Sequence, residues 1–211
     1  MEGVIIVVLL IVLAFVFYQT YRKRLVAKRQ NSINTFKFPM TISQKVMAQY
    51  PHLSQKEVNK VMDGLREYFH LCNIAGKRMV SMPSQAVDVA WHEFILFTKQ
   101  YETFCTNAFG RFLHHTPAEA MTSPTVAQTG IKTAWRISCY REKMQPKSAT
   151  RLPMLFAMDK KLQIPDGFMY SLNCSPNGKK EYCGSHIGCG SGCAGGNDSG
   201  DGAGCGGCGG D

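Results

Sequence analysis

AWHEFILFTKQYETFCTNAFGRFLHHTP, residues 90–117, decides how this chain folds. Its apolar residues recur at Ala90, Trp91, Phe94, Phe97, Tyr101, Phe104, Cys105 and Ala108, continuing a stripe that begins at Val87. That is helical spacing. It predicts one long amphipathic helix from Pro83-Ser84 to about Asn107, broken at Gly110. His92 lies near the start of this segment, and His114 and His115 lie past its end.

Neighbouring segments carry the same period. Ser54 and Glu57 form a capping box before a helix, with Leu53 and Val58 placed as a hydrophobic staple. Val58, Val61, Met62, Leu65, Phe69 and Cys72 form the apolar face, and Gly76 is the expected stop. A short helix starts near Thr41 and ends before Pro51. Another starts at Ser123-Pro124, with Pro at the first helical position, and runs to about Met144. Residues 152–170 give a short apolar helix and a Pro-Asp-Gly turn. No segment alternates with a period of two. The expectation is an all-α domain over residues 40–172, with four to five helices around one core.

Both ends differ from this middle. Residues 3–18, GVIIVVLLIVLAFVFY, carry no charge, and the run reaches Tyr21. A bilayer span needs about 20 apolar residues, and a helix satisfies its own backbone there. The cluster RKRLVAKR follows, with five cations in eight residues. A secretory signal would put its cations before the apolar run and a small-x-small site after it. Here Glu2 precedes the run and the cations follow. The reading is an uncleaved anchor over residues 1–21, in contact with the bilayer through residues 3–21. A basic juxtamembrane linker follows over residues 22–39. The positive-inside rule puts the N-terminus outside and the domain in the cytoplasm. Nine cysteines in that compartment are thiols or metal ligands rather than disulfides.

Residues 173–211 read as a Gly/Cys-rich low-complexity tail. Thirteen of the last 28 residues are glycine, and ordering them would bury almost nothing in return. Cys189, Cys193, Cys205 and Cys208 have spacings that could chelate one ion, but the residues between the pairs offer no small core.

The polar residues of the central segment carry the functional question. Asp88 and His92 stand one turn apart on one side of the helix, at the edge of the aromatic stripe. The break at Gly110 lets the chain carry His114 or His115 back toward them. Adjacent histidines point in different directions, so at most one of the pair shares a site with His92. Two imidazoles and a carboxylate suit Zn²⁺ or another first-row ion. Alternatively, Asp88 orients the ring of His92, or the histidines pack and cap helix ends. The 21 residues between His92 and His114 fit no local zinc motif. Cys105 falls inside the apolar stripe, where a thiol is inert. No nucleophile elbow, phosphate loop, dinucleotide fingerprint or nucleic-acid module appears, so no nucleic-acid partner is expected.

The block PSQAVDVAWHEFILFTKQYETFCTNAFGRFLHHTP resembles the signature of the glycine-rich domain-containing proteins, in particular small bacterial members. AWRISCYRE and LPMLFAMDKKLQIPDGFMY are similar to the same family. The resemblance covers about residues 40–210 and falls on Asp88, Trp91, His92, Tyr101, Phe104, Cys105, Gly110, His114 and His115. It implies a helical domain of unknown function with a polar site, and it supplies no reaction. Three readings stay open: a membrane-anchored binding module that holds a metal, a hydrolase-like metal enzyme built on the Asp/His cluster, and a structural interaction protein with packing histidines.

Overall fold

The computed structural model describes residues 2–115, 124–172, 182–183 and 187. Seven helices follow in chain order: α1 (Glu2–Thr35), α2 (Met40–Gln49), α3 (Gln55–Ala75), α4 (Gln85–Ile95), α5 (Thr98–Phe109), α6 (Pro124–Arg141) and α7 (Met154–Lys161). A two-residue strand β1 (Tyr170–Ser171) pairs in parallel with β2 (Tyr182–Cys183). The fold is all-α, as the apolar periodicity requires. Helix α3 is central and packs against α1, α2, α4, α5, α6 and α7.

The helix starts read from sequence have direct physical causes. The backbone N–H of Ser54 donates to Glu57 Oε2 at 2.8 Å, closing the capping box. Leu53 and Val58 are both buried beside it. Gly76 ends α3 with a positive φ of 64°. Two helix ends carry no such signal. Helix α6 stops at Arg141, short of Met144, and Lys143 takes φ 57° while the N–H of Met144 bonds to the carbonyl of Cys139 at 2.8 Å. Gln163 does the same after α7, with Ile164 bonded to Asp159 O at 3.0 Å. Both are left-handed caps of the kind glycine usually provides.

One boundary departs from the sequence reading in a way that matters. The segment expected as a single helix over 83–107 is two helices, α4 and α5, broken at Leu96 and Phe97. Phe97 N–H bonds to Phe94 O at 3.1 Å, a tight turn, and Phe97 O then accepts from Tyr101 to begin α5. Residues 94 and 104 would lie about 15 Å apart along one straight helix. Here their rings meet at 5.4 Å. The break costs helical hydrogen bonds but folds the aromatic stripe onto itself. Phe69, Phe94 and Phe104 form the centre of the core, all under 2% exposed.

Residues 22–39, read as a linker, belong mostly to α1, which is helical to Thr35. Ile33 is fully buried. Phe36 and Phe38 then enter the core, with Phe36 4.7 Å from Phe104. Arg66 on α3 donates to the carbonyls of Ile33, Asn34 and Phe36, satisfying the open end of α1. In its first part α1 is apolar and exposed from Ile5 to Tyr21 among the described side chains. It is long and apolar enough to cross a membrane. Tyr182 and Cys183, assigned to the tail from sequence, pair with the domain through β2, and Ile187 is buried.

His70 sits beneath this junction. Its Nε2 lies 2.7 Å from Asn34 Oδ1, and its Nδ1 is buried without a hydrogen-bond partner. Burial, and then the nearby Arg141, lower its pKa to about 4. The ordinary value is about 6.5, so the unfolded chain binds the proton more tightly than the folded one. His70 therefore supports the fold fully above about pH 6.5, and that support is lost as pH falls toward 4. We expect the melting temperature of His70→Gln to fall less over this window than that of the parent. Parallel curves for the two proteins would contradict this.

Candidate metal centre

The site forms where α4 meets the segment after α5. Ser84 starts α4, and its Oγ accepts from Val87 N–H at 3.3 Å. The same hydroxyl donates to Asp159 Oδ1 at 2.6 Å. Asp159, only 1% exposed, also accepts the backbone N–H groups of Gln85, Ala86 and Phe168, at 2.7, 3.3 and 2.9 Å. A carboxylate at the start of a helix is favoured by the free N–H groups and the dipole. Burial pushes the Asp159 carboxyl up, while its donors pull it back. Gly167 permits this packing, since a Cβ there would lie 2.6 Å from Asp159 Cβ.

One turn into α4 stands Asp88, with His92 a turn further. His92 Nδ1 is 3.3 Å from Asp88 Oδ2. At the far end of α5, Gly110 takes φ 69°, the left-handed conformation that glycine adopts without strain. The chain then returns along α4. Tyr101 holds this return: its hydroxyl donates to Leu113 O at 2.5 Å and accepts from Trp91 Nε1 at 3.1 Å. Tyr101 and Trp91 are buried, as are Phe109 and Leu113. Phe112 is 43% exposed, so Phe109 and Leu113 anchor the return.

His115 is thereby delivered to Asp88. Its Nε2 lies 2.9 Å from Asp88 Oδ1. Its ring is 4.1 Å from that of His92 and 4.4 Å from that of Trp91. One ligand atom from each of Asp88, His92 and His115 falls within 4.8 Å of the other two. His92 is the exposed member, while Asp88 and His115 are largely covered. His114, also a candidate from sequence, does not join: it is exposed, and its ring rests against Phe112 at 4.8 Å. Cys189, Cys193, Cys205 and Cys208 lie outside the described residues.

Two imidazole nitrogens and a carboxylate oxygen form a ligand set for a first-row divalent ion. Bonds of about 2.0–2.1 Å to a tetrahedral centre separate ligand atoms by about 3.4 Å. The observed spacing needs only a small adjustment, and the exposed His92 ring is free to make it. The carboxylate bridges both rings, tying residues 110–115 to α4. Sequence reasoning gave no positioning role to the two groups that hold this geometry, Tyr101 and Asp159. Tyr101 read as part of the apolar stripe, and Asp159 lies 71 positions after Asp88 with no motif linking them. The thiols of Cys72, Cys105 and Cys139 are buried, which disfavours the reactive thiolate. Burial pushes Cys72 up to about 12 and Cys139 to about 11, and raises Cys105 as well.

The fold and site thus define a small all-α domain that carries one apolar N-terminal helix and a carboxylate–imidazole cluster between two helices and a return loop. Residues 28–189 match the family described as UCP032817-like, and the chain belongs to this uncharacterised family. The match begins within α1 and ends just beyond Ile187. No curated protein matches the chain. No solved structure matches it.

Proposed function

We propose that this protein is a membrane-anchored, cytoplasm-facing module that binds Zn²⁺ through Asp88, His92 and His115. The observation that carries this reading is the meeting of these three ligand atoms within 4.8 Å. They come from two separate parts of the chain. Three protein ligands leave a coordination position open, which a partner's side chain or a water would fill. The group itself contains no further carboxyl, and Asp88 is committed to both rings. Binding is therefore preferred to hydrolysis, which also needs a general base. The exposed apolar face of α1 and the RKRLVAKR cluster support the anchor and its orientation. The PSQAVDVAWHEFILF block, the 20 glycines and the nine cysteines support kinship with small bacterial glycine-rich domain-containing proteins.

Metal analysis of the full chain, purified without a His-tag and dialysed against Zn²⁺, tests the site. We expect about one Zn²⁺ per chain, with loss of most of it in Asp88→Ala. Full retention by that variant would place the metal elsewhere. Orientation is tested separately. An export-dependent phosphatase fused after Asp211 should be inactive, and an active fusion would reverse the topology.

A further inference from the structure

We infer that the domain presents a composite basic face to the anionic phosphates of the membrane that α1 enters, built from Arg29, Lys77, Arg78 and Arg111. These cations come from three separate parts of the sequence. The fold brings them together because α3 and α5 both end on the side of the domain occupied by Arg29. The Arg29 guanidinium lies directly over Gly110, where any Cβ would collide with it. Arg111, next in the chain, donates from Nη2 to Gly76 O at 2.6 Å. Arg78 donates from Nε to Ala75 O at 3.2 Å. Lys77, between Gly76 and Arg78 in the chain, is exposed, as are Arg78 and Arg111.

Cations at helix C-termini offset the negative end of the dipole, and that accounts for one donor on Arg78 and one on Arg111, whose Nη1 also reaches Phe112 O at 3.4 Å. A guanidinium has five N–H donors, so most remain. Lys77 makes no such contact among the described residues. The three segments that meet here also lack any acid: residues 3–56, 68–87 and 103–115 contain no Asp or Glu. Within these described segments the charges are therefore all of one sign.

Position identifies the partner. Arg29 lies eight residues beyond Tyr21 on one continuous helix, about 12 Å along its axis. The headgroup layer is roughly 5–8 Å deep on each side. The cluster therefore stands within about one Debye length of the phosphates. Arg22, Lys23 and Arg24 lie in the headgroup layer itself on the same reading. Each cation near such a surface changes association by about five-fold, so Lys77, Arg78 and Arg111 together change it by about a hundred-fold. The face would hold the domain against the bilayer and fix the direction in which the Asp88 cluster looks.

This inference rests on α1 lying in a bilayer, and the experiment separates the two. The full chain is assembled into nanodiscs of phosphatidylcholine alone, or of phosphatidylcholine with phosphatidylglycerol, and amide hydrogen exchange is read over residues 76–80 and 110–113. The expected result is slower exchange, by several-fold, in the anionic discs only. High salt should erase the difference, and so should Lys77→Gln with Arg78→Gln. Lys77→Gln alone, which removes no hydrogen bond of the fold, should reduce it. Equal exchange in both discs would overturn the basic face while leaving the anchor intact. Failure of the chain to enter discs of either kind would overturn the anchor and the face together. Protection in neutral discs on adding inorganic phosphate would assign the cluster to a soluble anion instead of lipid.

Discussion

His115→Ala is expected to weaken Zn²⁺ binding by more than about 100-fold, because residues that merely orient a ligand already contribute 10–100-fold. His115 is largely covered and touches both Asp88 and the Trp91 ring. Its loss removes one of three ligands and the contact that ties the return segment to α4. His92→Ala should weaken binding to a similar degree with little change in melting temperature, since His92 is 49% exposed and packs little. His114→Ala is the internal control and should bind normally, because its ring lies against Phe112 and outside the group. Tyr101→Phe gives a subtler test. It keeps the ring in the core but removes the hydroxyl that holds Leu113 O, and should lower affinity less than either ligand variant. Titration with a competing chelator measures all four. Equal affinities for the parent, His92→Ala and His115→Ala would exclude the site and leave the cluster as a hydrogen-bonded clamp.

Asp159→Ala is expected to be the most destabilising single change, by about 4 kcal/mol. The carboxylate accepts four donors: the Ser84 hydroxyl and the N–H groups of Gln85, Ala86 and Phe168. A hydrogen bond to a charged group contributes about 1.5–3 kcal/mol, and a buried donor left without a partner costs about 1–3 kcal/mol. The half-buried Gln85 and Phe168 can regain water, whereas the buried Ser84 and Ala86 cannot do so without local opening. For a domain of this size the loss lowers the melting temperature by about 10 °C. Asp159→Asn preserves volume and one acceptor but turns an NH₂ toward donors, so it should recover less than half of the loss. Thermal unfolding followed by circular dichroism reads both variants. A drop of only a degree or two in Asp159→Ala would show that α4 is held by its apolar face alone. Because Ser84 starts the helix that carries Asp88, metal binding by the Asp159 variants should be measured well below their transition.

Several helix boundaries were legible because residues there advertise them. Ser54 and Glu57 cap α3, Gly76 and Gly110 end α3 and α5, and Pro124 opens α6. The apolar stripe named the core side chains Val58, Leu65, Phe69, Trp91, Phe94 and Phe104, all of which are buried. Ends closed by non-glycine residues, at Lys143 and Gln163, were not legible, because only backbone hydrogen bonds mark them. The linker reading of residues 22–39 did not announce the docking of Phe36 and Phe38, two apolar residues in polar surroundings. Too few to set a period, they are held by rings and by Arg66 that lie far away in sequence.

By itself the sequence determined the all-α class, the apolar helix at the N-terminus, and the pairing of Asp88 with His92, since residues four apart share a helix face. Only the tertiary structure decided that His115, and not His114, completes the cluster. A single helix through residue 109 would put Asp88 about 33 Å from Gly110 along its axis. The five residues from Gly110 to His115 span at most about 18 Å. The Gly110 turn alone could not have returned His115 to Asp88. The break at Leu96 and Phe97 makes the meeting possible by folding α5 back on α4. No residue in that stretch is a helix breaker; it breaks because Phe94, Tyr101 and Phe104 bury one another better folded than in line. That preference belongs to the whole core, to which Phe36, Phe38 and Phe69 also contribute, so no local pattern of residues 90–117 could announce it.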